Sequence, residues 1–254
     1  MKWHAALDGD VQAVAFSPDG KIVAGAGSIP KISLWSAADG ELLNVLRGHM
    51  DWVQSAASLA FSPDGRLLAA GASDGVIRLW NTGTSDLSKA NEPSTLRRHD
   101  GAVVALAFSA DGRSLVSGGH DQKVLLWDLG KAEAEVFRGF DGDVLSVAVA
   151  SDGSLIAAGM KDGTILVWER TTPMPKLTLP GQGGPVRAVL FSADARILVS
   201  AAEAPGIVLW DPGIDRPIRT LSAVAKPATV VGLARDGATL AAGSDGTLGV
   251  WQAR

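Results

Sequence analysis

The sequence predicts an all-β protein made of six copies of one four-stranded antiparallel unit, and three regularities predict it. Six tryptophans, Trp35, Trp80, Trp127, Trp168, Trp210 and Trp251, recur at intervals of 45, 47, 41, 42 and 41 residues. An Asp-bearing turn precedes each one, at Asp19, Asp64, Asp111, Asp152, Asp194 and Asp236, 16 residues before the Trp in five copies and 15 in the last. Between these marks short apolar runs alternate with Gly, Asp and Pro clusters, the composition of strands joined by tight turns. A period of about 42 residues is one supersecondary unit copied along the chain.

The second copy shows the elements in order. Leu59 to Phe61 reads as a strand, Ser62-Pro63-Asp64-Gly65 as a turn, Leu67 to Ala70 as a strand, Ser73-Asp74-Gly75 as a turn, and Val76 to Trp80 as a third strand. A more polar fourth strand follows the Trp, as in Glu41 to Leu46, Ala132 to Phe137 and Pro217 to Leu221. In Val103-Val104-Ala105-Leu106-Ala107-Phe108 and Val124-Leu125-Leu126-Trp127 both parities are apolar, whereas a sheet wetted on one face alternates. Burial of both faces is therefore expected, which stacks the units face to face and, for units of this length, closes them radially. Ala and Gly scattered among larger residues suit sheets that interdigitate near an axis. Each Trp can bury on the order of 200 Å² between neighbouring sheets, and its indole N–H needs a partner.

Composition narrows the function. A chain of 254 residues with 46% hydrophobic and 20% charged residues can bury a full core and lacks the polarity of a disordered protein. Its net charge of -4 supplies no attraction to nucleic acid or an anionic membrane. The absence of cysteine removes disulfides, thiolate zinc sites and cysteine catalysis. The first residues, Met1 to Leu7, have no apolar signal core, and the longest apolar runs, such as Ala102 to Phe108, are too short to span a bilayer. These features lead us to expect a soluble, cytoplasmic protein, and the start at Met1 a complete chain.

The copy that runs from Arg98-His99 through Ser109-Ala110-Asp111-Gly112, Leu115 to Asp121 and Val124-Leu125-Leu126-Trp127-Asp128 resembles a Trp-Asp (WD) repeat. The resemblance covers the whole chain, and the Ala-rich, Tyr-free, Cys-free composition is similar to that of bacterial members of the family. It implies a β-propeller: all-β, six blades of four-stranded antiparallel sheets, one domain over residues 1–254. The chain ends three residues after Trp251, so Met1 to Leu7 are expected to pair in the last blade as its fourth strand; the alternative is an open ring completed by another chain. The resemblance also implies a buried hydrogen-bonded tetrad of His99, Ser117, Asp121 and Trp127. Other copies depart from that set. The second keeps His49, Asp74 and Trp80 but has Ala70 for the hydroxyl, the fourth has Phe140 and Ala158 for His and Ser, and the fifth has Gln182 and Ala204 for His and Asp. Apolar packing is thus expected to hold most blades, since a partly satisfied polar network is worse than none.

Two segments break the period. Asn81 to Arg98 reads as an extended outer loop, and His49 to Phe61 is three residues longer than the matching His99 to Phe108. Other motifs resolve to framework. Gly71-Ala72-Ser73-Asp74-Gly75 has the spacing of a hydrolase nucleophile elbow, but it joins two strands rather than a strand and a helix. Gly25-Ala26-Gly27 lacks the third Gly and the helix of a dinucleotide fingerprint. His4, His49, His99 and His120 have no metal-ligand spacing. Asp8-Gly9-Asp10 and Asp141-Gly142-Asp143 lack the further oxygen ligands of a calcium loop. Arg97-Arg98, Arg113, Lys123 and Arg187 make no basic stripe. No metal or cofactor is expected.

The resemblance places partner contacts on the rim that collects the turns between second and third strands and the starts of first strands. Residue by residue these are Ser73, His120, Lys161, Glu203 and Ser244, together with Trp52, Gln54, Val104, Asp143, Leu145, Pro185 and Arg187. Trp52 is the expected anchor, because aromatic and Arg side chains carry most interface energy. The expected function is a non-catalytic scaffold that holds a peptide segment or partner subunit, within a multiprotein complex. The competing expectation is a propeller enzyme, a lyase or hydrolase, in which His120, Asp143, Lys161 and Glu203 meet at the channel mouth. A third is a structural domain of a larger assembly.

Overall fold

The computed structural model describes residues 3–7, 9–29, 31–46, 56–84, 86–87, 90, 92–204, 206–221, 228, 230–233, 239–244 and 247–252. They form antiparallel meanders in chain order. The first sheet holds β1 (Val11–Phe16), β2 (Ile22–Gly27), β3 (Ile32–Ser36) and β4 (Leu42–Leu46); the second holds β5 (Ala56–Phe61), β6 (Leu67–Ala72), β7 (Val76–Asn81) and β8 (Ser94–Arg97). The third holds β9 (Val103–Phe108), β10 (Ser114–Gly119), β11 (Val124–Asp128) and β12 (Glu133–Phe137). The fourth holds β13 (Val144–Val149), β14 (Leu155–Met160), β15 (Ile165–Glu169) and β16 (Leu177–Leu179). The fifth holds β17 (Val186–Phe191), β18 (Leu198–Ala202), β19 (Ile207–Trp210) and β20 (Pro217–Leu221), and the sixth β21 (Val230–Leu233), β22 (Thr239–Ser244) and β23 (Thr247–Gln252). The fold is an all-β, six-bladed propeller with the Trp of every copy in a third strand.

The chain divides into two compact units, Met1–Asp121 with Asp128–Ala134, and Gln122–Trp127 with Glu135–Arg254. Within the first, Ala24, Ala26, Ile32, Leu34 and Leu46 of the first sheet pack on Leu68, Ala70 and Trp80 of the second. Within the second, Val167 and Leu179 of the fourth sheet meet Val189 and Trp210 of the fifth, and Val199 and Ile207 of the fifth meet Leu240 and Trp251 of the sixth. Each of these Trp side chains thus lies on the sheet before its own. The second strand β2 and the third strands β3 and β11 are buried on both faces, as the doubled apolar parity predicts for β11, whereas the first strand β1 is largely exposed and β9 half-buried. The outer strand β20 is exposed but for its last residue, and β4 and β12 mix exposed and half-buried residues up to a buried end.

Small residues in the second strands permit the close stacking. A β-carbon on Gly71 would lie 2.6 Å from the Val103 side chain, and one on Gly159 2.5 Å from that of Val186, so the first strand of the following sheet occupies the space a side chain would take. Ser146 spans the same gap, its hydroxyl donating to the Val186 carbonyl at 3.1 Å. The spacing of the Asp turns also has a local cause. Ser62 Oγ donates to Asp64 at 2.6 Å, Asp64 accepts the Arg66 N–H at 3.0 Å, and the Leu67 N–H donates to Ser62 Oγ at 2.9 Å, which ties the end of β5 to the start of β6. The same set recurs at Ser17/Asp19 and Ser192/Asp194.

The expected pairing of Met1 to Leu7 in the last blade is not seen among the described residues: Trp3 to Leu7 form no strand, and the sixth sheet has three strands. The N-terminal segment lies instead on the first sheet: Trp3 Nε1 donates to the Ala37 carbonyl at 3.1 Å, its ring covers Gly40, and Leu7 lies with Trp35 over Gly25. An indole that can bury its ring and satisfy its N–H on one turn is held there more firmly than on a bare strand edge. Nor is Asn81 to Arg98 an outer loop throughout. It ends in β8, Ala90 is buried against the first two sheets with Leu87 beside it, and the Leu87 carbonyl accepts a bond from Asn44 Nδ2 at 2.6 Å. Its polar composition hid two apolar residues that give the segment a seat.

Candidate functional rim

One irregularity repeats at the start of the first strand in all five four-stranded sheets. The register slips by one residue, so that Gln12, Ala57, Val104, Leu145 and Arg187 are each the extra residue of a β-bulge. A bulge re-aims its side chain and ends regular pairing. Beside it, the turn between second and third strands is tied back by one backbone bond in equivalent places. Ser28 N–H donates to the Asp10 carbonyl at 3.0 Å, His120 to Ala102 at 2.9 Å, Lys161 to Asp143 at 3.0 Å and Glu203 to Pro185 at 2.8 Å. Every blade that shows this bond brings a turn residue, a residue at the strand start and a bulge residue to one end of its sheet.

The side chains at that end differ from blade to blade. In the first unit, Ser73 and His120 are exposed and Val104 is half-buried. In the second unit, Lys161 Nζ pairs with Asp143 Oδ2 at 2.9 Å, and Arg187 Nε donates to Glu203 Oε1 at 2.7 Å with Nη2 on the same oxygen. The polarity is inverted between these two blades: the fourth carries its cation on the turn, the fifth its anion. Exposed pairs of this kind contribute about 0–1 kcal/mol each. Leu145 and Pro185 are half-buried beside them. Lys161 and Asp143 are thus brought together, whereas Glu203 turns to Arg187. Ser244 ends β22. Trp52 and Gln54 lie outside the described residues.

Sequence reasoning did not place Asp10, Gln12 and Ser28 of the first blade, or Ala57 of the second, on the rim, and these hold the turn, strand-start and bulge places there. A signal existed. The bulge lies four residues before the last residue of the first strand, Phe16, Phe61, Phe108, Val149 or Phe191, in all five cases.

Beneath the rim the implied tetrad is present in its His, Ser and Asp members. His99 Nδ1 donates to the Asp121 carboxylate at 2.9 Å, and Nε2 lies 2.7 Å from Ser117 Oγ, which donates to it in the neutral ring. Asp121 also accepts the Asp100 N–H at 3.0 Å, and Trp127 is buried in β11. The fifth blade keeps a version without His or carboxylate: Gln182 Nε2 and Trp210 Nε1, the latter at 2.7 Å, both donate to Ser200 Oγ. In the fourth blade Phe140 and Phe137 meet the Trp168 ring edge-on at 5.8 Å, and the indole N–H donates to the Arg138 carbonyl at 3.1 Å. The second blade uses its Asp differently. Arg78, in β7 opposite Ala70, grips Asp74 through both terminal nitrogens, at 3.2 and 2.7 Å.

Among the described residues, no cluster of three or more His, Asp or Glu can hold a metal ion, and no helix is long and apolar enough to cross a membrane. Comparison with known proteins gives two findings. The family described as the IFT122 first beta-propeller matches residues 10–254. A 48-residue stretch is 44% identical to the probable serine/threonine-protein kinase PkwA of Thermomonospora curvata, a match that covers 19% of this chain and 6% of that protein's length.

Proposed function

The chain belongs to the family of the IFT122 first β-propeller, and from that premise we propose that it is a non-catalytic interaction scaffold. It works as a single propeller domain in a cytoplasmic multiprotein complex, holding a peptide segment or partner subunit on its bulge-and-turn rim, and it takes up neither nucleic acid nor membrane. One observation carries the reading. An invariant backbone device, the bulge beside a tied-back turn, presents Gln12, Val104, Leu145 and Arg187 at equivalent positions, so the framework repeats while the chemistry it offers does not. Enzymes need a few groups converged on one reacting atom; here the rim charges of the second unit engage each other in separate pairs.

Trp52, Gln54, Ser73 and Ser244 belong to the same proposed surface by sequence position. The test is a Trp52→Ala, His120→Ala, Arg187→Ala triple variant, purified from the native source beside the unaltered chain. Loss of the co-purifying partner, with an unchanged circular dichroism spectrum and urea midpoint, is the expected outcome. Full retention of the partner by the folded variant overturns this rim.

A further inference from the structure

Among the described residues, three that are not glycine hold a left-handed backbone: Ala132 with φ 56°, Ala195 with φ 58° and Gln122 with φ 62°. The two alanines lie in turns at the end of their sheets away from the rim, between β11 and β12 and between β17 and β18. Gln122 lies at the rim end, in the turn between β10 and β11, directly after the turn Asp121. The second and fourth blades put glycine in that place, Gly75 with φ 75° and Gly163 with φ 95°. Glycine adopts this backbone freely, whereas a residue with a β-carbon is strained in it.

Nothing within the protein repays that strain. Gly75 and Gly163 make the corresponding turn, so the turn itself does not require a glutamine. Asn and Asp tolerate the left-handed region because a short polar side chain can bond the local backbone; glutamine is one methylene longer. The Gln122 carboxamide makes no hydrogen bond with another described residue, and its side chain is exposed, so neither bonding nor packing holds it in place. Strain of this kind clusters where a ligand is held.

We infer that Gln122 is a partner-binding residue that reads the main chain of an extended polypeptide segment laid on the rim of the third blade. This rests on the rim reading above and adds a place that is neither a bulge nor the residue before the turn Asp. The chemistry selects the occupant. A primary carboxamide carries an acceptor oxygen and a donor nitrogen side by side, without charge. In an extended chain the N–H and C=O of one residue point to the same side, and the carboxamide is their complement. A charged group on the partner is better met by ionic side chains, such as Lys161 and Asp143 of the fourth blade. Contact with main chain is indifferent to the partner's sequence, so Gln122 supplies affinity while the bulge residues supply preference.

The probe is a short synthetic peptide selected on the full 254-residue protein from a random display library. Gln122→Gly is expected to do two opposite things: to raise the melting temperature by about 2 °C as strain leaves, and to weaken the peptide about tenfold as a paired contact goes. Ala195→Gly is expected to raise the melting temperature alike and leave the affinity unchanged. Gln122→Asn, which keeps the amide and suits the backbone, is expected to retain more affinity than Gln122→Gly. Scanning the peptide with backbone N-methyl groups is expected to find one position whose methylation weakens binding to the unaltered protein but not to Gln122→Gly, the mark of a direct pair. Unchanged affinity in Gln122→Gly, a lowered melting temperature, the lack of such a position, or a library that yields no binder overturns the inference. If His120→Ala and Arg187→Ala weaken the peptide while Gln122→Gly does not, the inference fails and the rim reading stands; if none of the three weakens it, the rim reading fails as well.

Discussion

The guanidinium of Arg78, 2% exposed in the middle of β7, has more at stake energetically than any charge on the rim. Its partner Asp74 reaches solvent, and the asymmetry gives a prediction. Asp74→Ala withdraws the pairing carboxylate from a buried cation and is expected to cost about 3–5 kcal/mol, the scale of breaking a buried pair. Arg78→Met leaves a carboxylate that water can reach and fills the space with an apolar chain, so it is expected to cost less. Urea unfolding of the two variants ranks them, and a larger loss for Arg78→Met contradicts the assignment. The sequence contained the signal: Arg78 interrupts the otherwise apolar Val76 to Trp80, in the same blade whose hydroxyl position is Ala70. The substitution of Gln182 for His in the fifth blade was harder to read, because an amide can replace an imidazole only if Ser200 and Trp210 stand where both can use one hydroxyl.

At the scale of strands and turns, the close approach of consecutive sheets sets a steric limit. Gly71→Ala and Gly159→Ala each place a methyl carbon well inside contact distance of a neighbouring Val, and overpacking of this kind is expected to cost about 1–3 kcal/mol. Gly232→Ala, where nothing lies within 4 Å of the added carbon, is the control and is expected to be near neutral by thermal melt. Strand order and strand number per repeat were legible because apolar runs, Asp turns and Trp positions are local signals that all point the same way. The bulges were legible only as a count back from the first-strand end. The β8 segment was not, since Leu87 and Ala90 are two apolar residues in a polar stretch and only their seat on the sheets explains them.

Across the whole molecule, the repeated turns make stability depend on pH in the acid range. Ser17, Ser62 and Ser192 hydroxyls, and then the backbone N–H two residues on, hold the Asp19, Asp64 and Asp194 carboxyls below the ordinary carboxylate range; Ser36 does so for Asp39 and Ser154 for Asp152. A folded-state pKa lower than the unfolded one contributes stability above the unfolded value, about 4, and that contribution is lost as pH falls through the folded value. Urea midpoints measured from about pH 7 down to about pH 3 are expected to fall less steeply for a Ser17→Ala, Ser62→Ala, Ser192→Ala variant than for the unaltered protein. An equal slope refutes a role for these hydroxyls. At this scale the sequence was least informative about the chain ends. Which sheet receives Trp3 is decided by a carbonyl at Ala37 and an open glycine at Gly40, and neither carries a periodic mark.

The recurring bulge separates what the blade needs from what it displays. Residues on either side of Gln12, Val104, Leu145 and Arg187 are bound by ladder register and packing, while these four sit between rungs. Evolution can therefore exchange glutamine, valine, leucine and arginine there without disturbing the scaffold. On the proposed reading of the rim, partner preference is editable one codon at a time, and engineers seeking new specificities have their addresses already marked.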